Sequence, residues 1–162
     1  LDLGAGRLTH EWFDTDPPER KKINLLRDYI DAELAGHARE FHALGEAGLA
    51  VGTSKTFRSL ARLTGAAPSS AGPFVKRTLT APGLRQLIAF ISRMTAADRA
   101  ELEGISADRS HQIVAGALVA EAAMRALKLD KLEICPWALR EGVILRWIDQ
   151  GHDVGDDEGD ND

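Results

Sequence analysis

The strongest pattern in the sequence is a long helix with a broad apolar face that follows Ser106. Serine commonly caps helix N-termini, and the small residues Ala115, Gly116 and Ala117 let such a helix approach a neighbour closely. Because 44% of the 162 residues are hydrophobic, these patterns predict one ordinary domain with a substantial core. The apolar face comprises Ile113, Val114, Ala117, Leu118, Ala120 and Met124.

Short apolar runs alternate with amphipathic helices, which predicts an α/β fold with helices packed on a sheet. Strands are predicted within Leu1–Phe13, at Leu49–Gly52 and at Lys131–Cys135. A helix capped by Asp16 is expected from Glu19 to about Leu34, with a pause at Gly36 and a short helical piece around Phe41. The later helices are predicted at Thr56–Leu63, at Leu84–Met94 after a lead-in at Lys76–Leu79, from the capping box Thr95–Asp98 to Leu102, after Ser106, and at Trp137–Asp149 with Leu139, Val143, Ile144 and Trp147 facing inward.

Charge is distributed unevenly along the chain. The segment from Lys55 to Ala97 contains no acid but seven bases, and a field of one sign favours an anionic partner. A solvated helix face that happens to be basic explains the same pattern. No recognition helix or finger motif accompanies the bases, so DNA is not an expected partner. The seven bases are Lys55, Arg58, Arg62, Lys76, Arg77, Arg85 and Arg93.

The C-terminal residues differ from the rest in composition. Gly151–Asp162 is rich in Asp, Glu, Gly and Asn, and we expect a disordered acidic tail after a domain at residues 1–150. No apolar run approaches the length of a membrane span, and no secretory leader opens the sequence, so a cytoplasmic protein is expected. The start at Leu1 suggests a piece of a longer protein.

One candidate ligand site is the turn Gly52–Thr56. Thr53, Ser54 and Thr56 offer hydroxyls and Lys55 an ammonium at a helix N-terminus, where unpaired amides and the helix dipole favour an anion. A glycine at position 52 would let the backbone approach a ligand closely. A simple capped strand-to-helix turn remains the alternative, because the spacing is not that of a Walker phosphate loop.

Two further candidates contain arginine. Arg109 is expected in the first turn of the Ser106 helix, where a cation opposes the helix dipole, so a bound phosphate or an ion pair with Asp108 or Glu103 would explain it. At the start of the last helix, Arg140 can face a ligand, or alternatively Glu141 can reach back to cap the helix. No metal site is predicted, because the five histidines are scattered and neither Cys nor acid completes a set of ligands.

Four motifs in order resemble the Ppx/GppA phosphatase family, especially its actinobacterial members. The resemblance spans about Leu3 to Ile148, and the motifs are specific as a set although each is weak alone. They are Val51-Gly52-Thr53-Ser54-Lys55-Thr56-Phe57, the Gly-x-x-x-x-Arg spacing of Gly104 and Arg109, Ala115-Gly116-Ala117-Leu118, and Leu139-Arg140-Glu141-Gly142.

The resemblance implies the second α/β domain of the actin and sugar-kinase superfamily, with an incomplete mixed sheet. It implies a Mg²⁺-dependent hydrolase for terminal phosphates of inorganic polyphosphate or the 5′-phosphate of guanosine pentaphosphate. The family's two Gly-rich phosphate motifs and its catalytic Glu are absent from this sequence, so no catalytic residue is assigned here. We therefore expect a substrate-binding part that is inactive alone, with Mg²⁺ held mainly outside it.

Two functional hypotheses remain open at this point. The chain is either part of such a phosphatase or a non-catalytic module that binds polyphosphate or a guanosine nucleotide. A homodimer is a further candidate assembly. The residues expected to bind phosphate are Gly52, Thr53, Ser54, Lys55, Thr56 and Arg109, with Arg140 and Glu141 as secondary candidates.

Overall fold

The computed structural model describes residues 1–45, 48–137 and 139–151, which form seven α-helices and a three-stranded sheet on which α3 and α4 pack. Strand β3 lies at the centre of the sheet, with β1 parallel to it and β2 antiparallel. None of the helices in these ranges is long and apolar enough to span a membrane. The elements are α1 (Ala5–Trp12), α2 (Arg20–Ala43), β1 (Val51–Gly52), α3 (Lys55–Leu63), β2 (Thr78–Thr80), α4 (Ala81–Ile91), α5 (Ala96–Ala100), α6 (Ile113–Ala126), β3 (Lys131–Ile134) and α7 (Leu139–Gly151).

Helix α6 forms the centre of the core and is contacted by α1, α2, α3 and α4. It is buried on almost every side, as expected of an apolar helix in the middle of a domain. At Gly116 an added Cβ would lie 2.8 Å from Thr56 Cγ2 and 3.3 Å from Ala5 Cβ. The predicted close approach at this glycine is therefore confirmed. The buried residues of α6 are Ile113, Val114, Ala115, Gly116, Ala117, Leu118, Ala120, Glu121, Ala122 and Met124.

The prediction that Ser106 caps α6 is wrong. A 3₁₀ turn at Ala107–Arg109 comes first, and α6 begins only after Gln112. The amides of Arg109 and Ser110 bond to carbonyls three residues back, and the Ser110 hydroxyl also donates to the carbonyl of Ala107 (3.0 Å). These bonds hold the segment in tight turns instead of an α-helix.

The predicted strand within Leu1–Phe13 is also wrong, since α1 occupies this segment. Leu8 is fully buried and Trp12, four residues later, packs against Tyr29 with ring centroids 5.2 Å apart. Arg7 donates to Glu11 one turn on (2.7 Å), which is the spacing of helical neighbours. The short apolar pieces therefore form one side of a helix.

Helix α2 is continuous from Arg20 to Ala43, so the predicted pause at Gly36 is not found. A Cβ at Gly36 would meet no atom within 4 Å, which shows that this glycine lies on an open side of the helix. Salt bridges attach α2 to α6, with the nearly buried Glu121 bound by Arg27 at 2.6 Å and Asp31 bound by Arg125. Packing along α6 thus outweighs the low helix propensity of one glycine.

Two errors concern the sheet and the last helix. Lys76–Leu79 leads into helix α4 as predicted, but strand β2, in which Thr78–Thr80 pairs with β3, was not predicted. The Thr80 hydroxyl then caps α4 by accepting from the amide of Gly83 (3.2 Å). In α7, the predicted inward residues Val143, Ile144 and Trp147 are exposed by 59%, 56% and 73%. Within the described ranges no element covers this apolar face, so its periodicity does not mark a buried side here.

Asp16 connects two distant parts of the chain instead of capping α2. One carboxylate oxygen accepts from the amide of Ala96 (2.6 Å), and the other accepts from the guanidinium of Arg99 (2.6 Å). Arg99 is almost completely buried, and this burial lowers the pKa of its guanidinium, whereas Asp16 acts in the opposite direction. Asp16 thus compensates a buried charge and extends the capping box of Thr95 and Asp98, which is present as predicted.

Removal of the Asp16 carboxylate should destabilise the fold. We expect Asp16→Ala to lower the free energy of unfolding by about 2 kcal/mol, because Arg99 would keep a buried charge without its partner. Asp14→Ala is the control, since it breaks only the exposed pair with Lys22 and should change stability little. Urea unfolding measures both variants, and equal stability of the two would contradict this role of Asp16.

Candidate functional site

A cleft of about 590 Å³ lies between α3, the loop that follows it and the residues after β3. We call residues 66–75 the 66–75 loop. Four basic residues line the cleft, and Glu103 is the one acid among its described lining residues. The cleft is therefore a cationic surface depression. Its lining residues are Lys55, Arg58, Ser59, Arg62, Ala67, Pro68, Ser69, Gly72, Pro73, Arg77, Glu103, Gly104, Ile134, Pro136 and Trp137.

The N-terminus of α3 forms one end of this cleft. Ser54 caps the helix, since its hydroxyl accepts from the amide of Phe57 (3.2 Å). Lys55 is exposed and lines the cleft, whereas Thr56 is half-buried with its methyl against Gly116 of α6. The core thus fixes the first turn of α3, where the helix dipole and Lys55 both favour an anion.

Gly52 does not border open space. It is buried, and an added Cβ would lie 3.0 Å from Leu132 Cδ1 and 3.0 Å from Phe57 Cγ. Gly52 thus lies in the edge strand β1 of the sheet but packs against β3 and α3. A glycine is required here because β1, β3 and α3 meet closely, and its predicted contact with phosphate stays a prediction.

Arg58 and Arg62 extend from the next turns of α3 along the cleft. Arg58 donates to the carbonyl of Pro136 (3.0 Å), and Arg62 donates to the carbonyl of Ala66 (3.1 Å). Arg62 also forms an ion pair with Glu103 (2.5 Å), which holds the pKa of that carboxyl below its ordinary value. Both arginines are half-buried and are held by the backbone, so their positions are largely set before a ligand binds.

Arg109 lies outside the lining of the cleft, in the 3₁₀ turn before α6. The expectation that it belongs to the first turn of the long helix is wrong for this reason. Asp108 beside it lies near Lys55: the Ser106 hydroxyl most strongly, and then Lys55 and Arg109, hold the pKa of the Asp108 carboxyl below its ordinary value, although burial acts in the opposite direction. The charges of Lys55 and Arg109 thus both act on the Asp108 carboxyl, and the predicted contact of Arg109 with phosphate stays a prediction.

The other bases of the acid-free segment have different surroundings. Arg77 is one of the seven bases of that segment, but it is buried and donates to backbone carbonyls of the 66–75 loop. Lys76 forms an ion pair with Glu133, whereas Arg85 and Arg93 are exposed away from the cleft. The side chains of the secondary candidates Arg140 and Glu141 lie outside the described residues.

Sequence reasoning missed Trp137 as a cleft residue. Trp137 is 45% exposed and contacts Phe74 edge to face, with ring centroids 6.3 Å apart. Its position three residues after the end of β3 was the available signal, because residues that follow a strand often border a ligand site. Arg58 was noticed only as part of a basic segment.

The packing around Gly52 yields a prediction. We expect Gly52→Val to lower the free energy of unfolding by about 1–3 kcal/mol, because its side chain overlaps Leu132 and Phe57. Gly36→Ala is the matched control and should raise stability by about 0.5–1 kcal/mol, since it adds a methyl on an open helical side. Thermal and urea unfolding measure both, and a Gly52→Val protein as stable as the parent would contradict the packing described here.

The comparisons with known proteins agree with the motifs. The model of the Ppx/GppA phosphatase family matches residues 1–151. Exopolyphosphatase 1 of Mycobacterium tuberculosis is 71% identical over 153 residues, which cover 94% of this chain and 44% of that protein. Exopolyphosphatase 1 of Mycobacterium leprae is 66% identical, with 94% and 45% covered. The chain thus spans less than half the length of these curated relatives.

Solved structures show the same fold at lower identity. A Ppx/GppA family member from Aquifex aeolicus has a TM-score of 0.79 at 20% identity, covering 93% of this chain and 48% of that one. An exopolyphosphatase from Cytophaga hutchinsonii has a TM-score of 0.78 at 18% identity, covering 93% and 49%. The expected α/β class with a mixed sheet is confirmed, while the assignment as a second domain stays a prediction. With its family model matched from residue 1 to residue 151, the chain belongs to the Ppx/GppA phosphatase family.

Proposed function

We propose that the whole protein is an exopolyphosphatase and that this chain supplies the cationic surface along which inorganic polyphosphate binds. The observation that supports this proposal is the cleft, which is lined by Lys55, Arg58 and Arg62 on successive turns of one helix. Relatives at 66–71% identity bear the name Exopolyphosphatase 1, which supports the same substrate class.

The chemistry of the cleft suits a linear polyanion. Polyphosphate carries a negative charge on each phosphate unit, and guanidinium groups bind phosphate oxygens through charge-assisted hydrogen bonds. The spacing of the bases along α3 presents successive cations instead of one compact site. Phosphoryl transfer depends mainly on positioning and charge stabilisation, so a surface that orients the chain contributes to the reaction without performing its chemical step.

The catalytic carboxylate and the Mg²⁺ site are proposed to lie outside this chain. Within residues 1–45, 48–137 and 139–151 no group of three His, Cys, Asp or Glu side chains lies together to hold a metal ion. The described residues therefore do not fit a resident Mg²⁺ by themselves.

A guanosine nucleotide is the second candidate substrate, favoured by the aromatic residues at the cleft. Trp137 is partly exposed beside the cationic side chains and Phe74 is largely exposed next to it. Aromatic side chains stack on nucleobases, which inorganic polyphosphate lacks.

Trp137→Ala should weaken nucleotide binding more than polyphosphate binding if guanosine pentaphosphate is the substrate, and affinity measurements with both ligands distinguish the two substrates.

Loss of cleft cations should weaken polyphosphate binding. In the full-length protein, Lys55→Ala and Arg58→Ala should each raise the Kd for inorganic polyphosphate about tenfold, because each removes a charge-assisted contact. Arg93→Ala is the matched control, since this exposed base belongs to the same acid-free segment but lies away from the cleft. Isothermal titration calorimetry measures the Kd, and equal effects of all three variants would refute binding in the cleft.

The isolated chain should be inactive. We expect residues 1–162 with Mg²⁺ to release no phosphate from long polyphosphate, because general acid–base catalysis alone is worth about 10²–10⁴ in rate and its carboxylate is assigned outside this chain. Phosphate release is measured beside the full-length protein as positive control. Metal-dependent turnover by the purified chain would overturn this division of roles.

A further inference from the structure

Arg77 is a buried cation whose side chain is surrounded by the backbone of one loop. Its guanidinium makes four hydrogen bonds, all to carbonyl oxygens, while its own carbonyl accepts from the amide of Ile134 (2.8 Å). The side chain is only 9% exposed. Arg77 thus connects the loop to β3. The four bonds run from Nε to Ala67 (2.8 Å), from Nη1 to Val75 (2.8 Å), and from Nη2 to Pro68 (2.6 Å) and Gly72 (3.0 Å).

The 66–75 loop has few other interactions that define its shape. Its residues up to Pro73 are Ala, Pro, Ser and Gly, which supply little side-chain packing. One 3₁₀ turn forms at Ser69–Ala71. Gly72 follows it with a φ of 101°, a backbone conformation that glycine adopts without steric strain. Arg62 holds only the start of the loop, at Ala66. Near its end, Phe74 contacts Trp137 edge to face. The middle and end of the loop are therefore held mainly by the hydrogen bonds of Arg77.

The same loop lines the cationic cleft opposite α3. Ala67, Pro68, Ser69, Gly72 and Pro73 all border it. We propose that Arg77 is a positioning residue that sets the shape of the polyphosphate cleft by holding the 66–75 loop, and that it does not itself bind phosphate. This inference rests on the proposed function for its substrate. The four hydrogen bonds from the Arg77 guanidinium to the loop carbonyls do not depend on that function.

Charge and geometry can be separated at this position. Lysine keeps the positive charge but is a compact ammonium that cannot reproduce the planar, forked donors of arginine. If Arg77 acted only through its charge, Arg77→Lys would behave like the parent. If it acts by holding four carbonyls, Arg77→Lys and Arg77→Ala should behave alike.

The test uses the full-length protein with inorganic polyphosphate of defined length. We expect Arg77→Lys and Arg77→Ala each to raise KM about fivefold or more, since several hydrogen bonds that hold the loop are lost, while kcat changes less than about twofold. Hydrogen exchange of amides in residues 66–75 should accelerate in both variants, and exchange in α6 should not change. Arg93→Ala is the control and should alter neither KM nor exchange.

The contrary outcomes are distinct. An Arg77→Lys protein with the KM and loop exchange of the parent would overturn the positioning role and leave a role of charge alone. Faster exchange throughout α6 would overturn it as well, because the residue would then stabilise the whole domain. A parent protein that neither binds nor cleaves polyphosphate would refute the proposed function, and with it the effect on KM, while the exchange comparison would still decide whether Arg77 holds the loop.

Discussion

A close contact between α6 and α3, where Gly116 meets Thr56, fixes the first turn of the cationic helix. Any side chain at Gly116 would overlap the Thr56 methyl, so the two helices approach only because the residue is glycine. Ala5 of α1 packs at the same point. Since Thr56 belongs to the first turn of α3, the buried helix places the N-terminus of α3 and Lys55 at one end of the cleft.

The acid-free segment produces a local site because the rest of the chain neutralises part of it. Lys76 meets Glu133 of β3 and Arg62 meets Glu103, while Arg77 is used by the loop backbone. Arg58 is held against the carbonyl of Pro136 and still lines the cleft. The positive charge at the cleft therefore comes mainly from α3 instead of from the whole basic segment, which a count of charges along the sequence does not show.

Features with local causes were predictable from the sequence, and those with distant partners were not. The Thr95–Asp98 capping box and the Ser54 cap of α3 involve residues three apart, so the sequence contains the whole interaction. Strand β2 depends on pairing with β3, far along the chain, and was missed. The sequence does not indicate that Arg77 binds the loop, because its hydrogen-bond partners are backbone carbonyls, which every residue has. The apolar face of α7 is exposed. An apolar periodicity therefore predicts a helix with one hydrophobic side, but it does not predict which part of the protein covers that side.

The central claim is that polyphosphate binds along α3, between this helix and the 66–75 loop. The most direct measurement is a crystal structure of the full-length protein with inorganic polyphosphate bound. We expect phosphate units within hydrogen-bond distance of Lys55 and Arg58, with the Arg77 guanidinium still bonded to the loop carbonyls. Polyphosphate bound elsewhere, with no phosphate in this cleft, would contradict it.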